Sequence, residues 1–263
     1  MSADWWRERH TCEVLLEEFR TRVLGLFLVF ECGGKLEKTF YSGFPVRLEN
    51  QLFWFTCAHV LKQVRGILKG SNCRVISVRW WDNGETRGAE SVPVHDRDFD
   101  SFEFDEHYLD VGCVRLGDLD RINILRGGNL KPFSPFDWDF KDQSEAEGHY
   151  LLGWSGEDLF VDSERAQNSL TCLPVEELSF ETHAEPGPFW SDPLGFYGAL
   201  RPYSGVDKLP HIDVRGMSGG PILSVRRDRE RGIVYRLAAI QRSWHKTKKF
   251  IRAERIEKVV GAI

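Results

Sequence analysis

The chain has 263 residues, 41% of them hydrophobic, with 9 Trp and 18 Phe, which is enough apolar material for a full core in a fold of this length. A net charge of −5, with basic residues clustering only in short local runs such as 226–231 and 246–249, argues against the broad positive face of a nucleic-acid or acidic-membrane binder. Those runs read as solvated hairpin tips, and the longest apolar stretch, 23–30, is far too short to span a bilayer.

The N-terminal MSADWWRERH lacks the basic-then-apolar design of a secretory leader. Trp5, Cys12, Leu15, Leu16 and Phe19 then recur on one face of a helix, with Ser2 or Asp4 available as its cap. The expectation is an N-terminal helical segment (1–22) packed on the body of the fold. From residue 23 the pattern changes to short β-branched and aromatic runs broken by turn residues. Strands are expected at 23–31, 39–48, 52–58, 73–81, 91–94 and 109–116, with turns at Gly33-Gly34, Glu49-Asn50 and Asp82-Asn83-Gly84. A less regular stretch, 117–147, connects to a second series at 149–154, 160–161, 169–173, 199–202, 221–225, 234–241 and 250–253, closed by a helix over 254–262. Two successive series of about six strands predict an all-β fold of two six-stranded antiparallel barrels, 23–130 and 131–263, with a helix at each end of the chain.

Six cysteines show no CxxC spacing, so no zinc site is expected, and the remaining histidines lack metal-ligand spacing. Several cysteines fall inside apolar runs, where a thiol serves as a small hydrophobe. The chain therefore reads as cytoplasmic, without structural disulfides, without cofactor or metal, and with neither nucleic acid nor membrane as a partner.

Three segments carry chemistry. Gly216-Met217-Ser218-Gly219-Gly220-Pro221 sets a serine between glycines, where backbone N–H groups converge without Cβ obstruction and the hydroxyl stands free. A glycine-rich hairpin turn is the plain alternative. Phe55-Thr56-Cys57-Ala58-His59-Val60 delivers a histidine at the end of an apolar strand. Alone it reads as structural, but a serine hydroxyl is a weak nucleophile until a base takes its proton. Leu109-Asp110-Val111-Gly112-Cys113-Val114-Arg115-Leu116 puts a carboxylate at the head of an apolar strand, a costly place for a charge without a partner. An imidazole N–H would satisfy it.

Taken together, in the order His, Asp, Ser, with the first two in one strand series and the third in the other, these segments resemble the trypsin-like serine peptidase family. TCAH stands for its histidine motif, DVGCVRL for its aspartate motif and GMSGGP for its serine motif. The resemblance implies a triad of His59, Asp110 and Ser218, with the backbone N–H groups of Gly216 and Ser218 as oxyanion hole and a protein or peptide as substrate; triad chemistry of this family is a standard template. It also implies a specificity pocket based near His211, Ile212 and Asp213 and walled by Gln241, Arg242 and Ser243. Ile212 at the base favours an apolar or small side chain, whereas an inward Asp213 favours a basic one.

The sequence also departs from that family. Met217 stands where many secreted members place an aspartate that pairs with a newly cut N-terminus, so activation by such cleavage is not expected; a regulatory partner or a conformational change is the expected control. Val60 stands where those members place a bridged cysteine. The acidic run Asp96, Asp98, Asp100, Glu103, Asp105 and Glu106 lacks EF-hand spacing and reads as a solvated loop. The segment 181–207 reads as a long cleft-bordering loop. Two other functions remain open on the sequence: a catalytically silent binding module or scaffold, and an esterase.

Overall fold

In the computed structural model, which describes residues 3–70, 72–81, 92–93, 101–103, 109–117, 130–140, 146–154, 160–162, 165–167, 170–183, 188–201 and 214–262, the chain starts with helix α1 (Ala3–Phe19). Its buried face is Cys12, Leu15 and Phe19, a three- and four-residue spacing that turns one stripe inward. Phe19 stacks on Phe133 and meets Tyr235 edge-on, so α1 packs against residues from both halves of the chain, as the sequence led us to expect.

Strands β1 (Gly25–Cys32) and β2 (Lys35–Tyr41) form a hairpin over Gly33-Gly34. The single strand expected at 39–48 is broken at Ser42-Gly43, and β3 (Phe44–Leu48) begins afresh and pairs with β4 (Gln51–Thr56). Gly43 explains the break: a Cβ there would lie 2.3 Å from Trp54 Nε1 and 2.5 Å from the Phe55 carbonyl oxygen, so the chain turns in contact with β4. Helix α2 (Ala58–Lys69) follows, which was not expected, and it buries Ala58, Val60, Leu61 and Val64. Each Val or Leu so covered contributes roughly 1.5–3 kcal/mol. The first half ends with β5 (Cys73–Trp81), β6 (Val92–Pro93), β7 (Ser101–Glu103) and β8 (Gly112–Arg115).

These eight strands lie in two four-stranded sheets, β2-β1-β5-β6 and β3-β4-β8-β7. The expected six-stranded barrel over 23–130 is corrected accordingly for the described residues. The physical cause is the pair of interruptions at Gly43 and at α2, which turn the chain from one sheet to the other. The sheets nevertheless share one core: Leu26, Leu28, Val78 and Trp80 from one pack with Leu52, Trp54 and Val114 from the other and with Val60, Leu61 and Val64 of α2.

The second half closes as expected. Strands β9 (Gly148–Trp154), β12 (Leu170–Glu177), β13 (Phe196–Leu200), β14 (Pro221–Asp228), β15 (Gly232–His245) and β16 (Phe250–Arg255) form a closed six-stranded barrel in the order β12-β13-β16-β15-β14-β9. A small hairpin, β10 (Phe160–Asp162) and β11 (Arg165–Gln167), stands apart from it. Short helix α3 (Phe180–His183) follows β12, and α4 (Ile256–Ala262) closes the chain where a helix was expected. The segment 181–207 is not one long loop, because it contains β13 in the barrel wall.

Two further expectations are corrected. Cys32 and Cys73 sit directly opposite each other on β1 and β5 and form a disulfide, while Cys12, Cys57, Cys113 and Cys172 are buried and outside any disulfide. The bridge removes the cysteine-based reason for a reducing compartment. Arg226 does not belong to a solvated tip: it is 8% exposed and lies 2.9 Å from the buried carboxylate of Asp139. No described helix is long and apolar enough to cross a membrane.

Candidate active site

The first side chains to meet are those of His59 and Asp110. Cys57 caps α2 in extended conformation without a side-chain capping bond to the helix, leaving the first-turn N–H groups in need of acceptors. Asp110, just ahead of β8, supplies one: its Oδ1 accepts the His59 backbone N–H at 2.9 Å. Its Oδ2 lies 2.7 Å from His59 Nδ1, so one carboxylate holds both the backbone and the ring of the same residue. A negative group at a helix N-terminus also meets the positive end of the helix dipole.

Asp110 is 8% exposed, and His59 is partly exposed. Burial pushes the Asp110 carboxyl up. The hydrogen bond from the His59 ring, the charge of that ring, the His59 backbone N–H and the Arg242 guanidinium together outweigh burial and hold it below its ordinary value. Nδ1 is thus the ring nitrogen that faces the carboxylate, and Nε2 is the one that Asp110 does not engage.

Ser218 lies in the turn between Val214 and β14. Met217 N donates to Val214 O at 3.0 Å, and Gly220 N donates to Met217 O at 2.8 Å. Gly216 and Gly219 adopt positive φ of 88° and 89°. At Gly219 a Cβ would lie 2.1 Å from Thr56 Oγ1 and 2.4 Å from the Ser42 carbonyl oxygen, so only glycine lets the turn approach the first half this closely. Met217, at the position noted for its lack of charge, is fully buried in the barrel core among Leu151, Ile222 and Ala239.

A buried serine that the sequence did not single out ties this turn to the first half. The Ser42 backbone N–H and hydroxyl both donate to Gly216 O, at 3.0 and 2.6 Å, and the hydroxyl accepts the Trp154 backbone N–H at 2.8 Å. Thr56 Oγ1 in turn donates to Ser42 O at 2.8 Å. Nothing in the local sequence marks Ser42, because its partners come from three distant segments. Gln241 works the same way: its carbonyl accepts Gly219 N at 2.8 Å and the Cys57 thiol at 3.0 Å. Burial first, then the Asp110 and Glu254 charges, push the Cys57 thiol well up and keep it a donor.

The hydrogen bond donated by Ser218 Oγ goes to the carbonyl oxygen of Arg242, at 3.3 Å, which places the serine beside the residue that contacts Asp110. Of the expected pocket wall, Gln241 is 1% exposed, Ser243 is partly exposed, and Arg242 turns its side chain to Asp110 Oδ2 at 3.2 Å and to Glu254 Oε1 at 2.8 Å. His211, Ile212 and Asp213 lie outside the described residues, as do the side chains of the acidic run 96–106 apart from that of Phe102. The donor atoms of Cys57, His59 and Asp110 fall within 4.8 Å of one another, the spacing of a metal cluster. Here they are already engaged with the Gln241 carbonyl, with each other and with the Arg242 guanidinium, a cation that opposes a second one.

No family model matches the chain, and no curated protein matches it in sequence. Solved structures do match. An inactivated protease paralogue of the scabies mite aligns with a TM-score of 0.50 at 12% identity, over 94% of this chain and 94% of that one. A thermostable serine protease from an extremophilic microorganism gives 0.47 at 10% identity, over 92% and 95%. A protease of M. tuberculosis in its active form gives 0.45 at 11% identity, over 94% and 82%. The chain thus has a mostly β, protease-like fold.

Proposed function

We propose that the chain is a serine endopeptidase of trypsin-like type, with Ser218 as nucleophile, His59 as general base and acid, and Asp110 as the carboxylate that orients His59. The observation that carries this reading is the double hold of Asp110 on His59, through ring and backbone, at the seam where the 214–220 turn meets the first half. In this reading the two sheets with a common core are the counterpart of a first barrel, and the closed barrel is the second.

Ser218 attacks the carbonyl carbon of a peptide bond as His59 takes its proton, and the backbone N–H groups of Gly216 and Ser218 receive the oxyanion. His59 then protonates the leaving amine. Water, deprotonated by the same imidazole, releases the acyl group. Met217 is packed in the core and makes no ion pair with a cut N-terminus, so activity does not await cleavage of that kind; a regulatory partner or a conformational change is the proposed control.

A fluorophosphonate probe tests the reading. The intact wild-type chain is expected to label, and Ser218→Ala and His59→Ala to fail to label. A peptide-library profile then defines the side chain accepted before the cut. Labelling that persists in Ser218→Ala would remove the serine from the chemistry.

The direction of the Ser218 hydroxyl, toward the Arg242 carbonyl, favours a second reading, a silent binding module. Catalytic hydrogen bonds are often unmade without substrate, and rotation about one side-chain bond redirects the hydroxyl. A folded wild-type chain that never labels, alone or with substrate peptides, would support the module.

A further inference from the structure

Arg242 stands in the strand expected to wall the substrate pocket, yet its side chain is committed elsewhere. Nε lies 3.2 Å from Asp110 Oδ2, the oxygen that His59 Nδ1 approaches at 2.7 Å. Nη1 donates to Glu254 Oε1 at 2.8 Å. Glu254 has no exposed surface, and a carboxylate buried to that degree is strongly unfavourable without a cation at hand. The planar fork of an arginine can serve two carboxylates at fixed angles, which the single ammonium of a lysine cannot do as well.

The ions continue beyond this pair. Glu254 Oε2 lies 3.7 Å from Lys258 Nζ on α4, Lys258 pairs with Asp192, and Arg252 lies 4.0 Å from the same Asp192 carboxylate. Arg252 also donates to Ser191 Oγ at 2.8 Å. Acids and bases alternate along this line, from Asp110 through Arg242, Glu254, Lys258 and Asp192 to Arg252. Each charge inside the line therefore faces its opposite on either side, and the Arg242 fork is fixed from the barrel side before it meets Asp110.

We propose that Arg242, braced by Glu254, is a positioning residue that fixes the Asp110 carboxylate in the orientation receiving the His59 ring, and that it is not a substrate-binding cation. The proposal rests on the peptidase reading above. Asp110 has two oxygens and three donors: the His59 backbone N–H occupies one, and the His59 ring and Arg242 share the other. Without Arg242 that oxygen keeps the ring as its donor but loses the group that restrains the carboxylate from the far side. The carboxylate then rotates about its own bond, and the ring rotates with it.

The test uses the full-length chain as wild type, Arg242→Gln, Arg242→Lys and Glu254→Gln. Two readouts are taken: steady-state kinetics on a library-selected peptide, and the far-downfield proton resonance of the His59 Nδ1–H facing Asp110. For Arg242→Gln we expect kcat to fall about 10- to 100-fold with KM nearly unchanged, the pattern of a misplaced catalytic group. The resonance should shift or broaden. Glu254→Gln should move both readouts in the same direction by less, and Arg242→Lys should restore part of each. A rise in KM alone, with kcat and the resonance as in wild type, would make Arg242 a substrate contact and overturn the proposal. If Arg242→Gln does not fold, the lysine and Glu254→Gln variants decide, since both retain charge or shape. Failure of the peptidase reading is seen separately, as a wild-type chain that does not label, and the resonance still tells whether Arg242 holds the pair.

Discussion

Replacing Ser42 by Ala removes one buried hydroxyl and keeps the backbone links at the same residue. The Ser42 N–H still reaches Gly216 O at 3.0 Å, and Ser42 O still accepts from Thr56. Two bonds go: the hydroxyl's donation to Gly216 O at 2.6 Å, and its acceptance of the Trp154 backbone N–H at 2.8 Å. Gly216 O retains a donor, so that loss is about 0.5–1.5 kcal/mol, whereas the Trp154 N–H is left buried without an acceptor, at about 1–3 kcal/mol. Together the variant should lose roughly 2–4 kcal/mol. In urea unfolding, with a slope near 3 kcal/mol/M, that is a midpoint lower by about 1 M at unchanged slope. The rate of fluorophosphonate labelling should fall as well, because the Gly216 carbonyl sets the direction of the peptide leading into Ser218. A midpoint within about 0.2 M of wild type would refute the idea that this hydroxyl fastens the turn to the first half.

Three other outcomes follow from the same structure. Gly219→Ala puts a Cβ against Thr56 Oγ1 and the Ser42 carbonyl at a positive φ, so it should lose roughly 2–5 kcal/mol, and a melting temperature equal to wild type would contradict the close approach. Asp139→Asn leaves the buried Arg226 guanidinium facing a neutral amide, at about 3–5 kcal/mol in thermal unfolding; the double variant with Arg226→Met should recover part of the loss, and strictly additive losses would argue against the pair. Asp110 has a folded-state carboxyl held below its ordinary value, so its contribution is fully present above the ordinary range and is lost as pH falls through the lower, folded one. Urea midpoints of wild type should therefore decline toward acid more steeply than those of Asp110→Asn; parallel curves would show that Asp110 adds nothing to the acid limb.

The meeting of His59 and Asp110 was legible because each is a polar residue at the end of an apolar strand, where it needs a partner. The strand series was legible because β-branched runs end at turn residues. Helix α2 is less legible although Val60, Leu61, Val64, Ile67 and Leu68 have helical spacing, because the apolar run of β4 leads into it after a single residue. Partners fixed only by three-dimensional register were not legible. Cys32 and Cys73 meet because β1 and β5 align them, and Arg226 is buried because Asp139 comes to it from a distant turn. Arg242 was expected at a pocket wall on its position alone. Strand position says where a backbone runs, but the long side chain follows the charges of Asp110 and Glu254.

Where, then, is control of the site to be sought? Phe27, Phe40, Phe44 and Phe55 of the first half, Tyr150, Leu152, Trp154 and Ile240 of the second, and Leu15 and Phe19 of α1 belong to one buried cluster. Sliding the halves apart would expose these aromatic and aliphatic side chains together, at roughly 1.5–3 kcal/mol each. Opening the seam is thus a costly switch. Within the 214–220 turn, Val214 and Met217 are anchored in the barrel core, but the Ser218 side chain is held by less, its hydroxyl pointing to the Arg242 carbonyl. Rotation of Ser218 about its side-chain bond breaks only that one bond of 3.3 Å, so a substrate or partner that occupies the Arg242 carbonyl would release the hydroxyl at small cost.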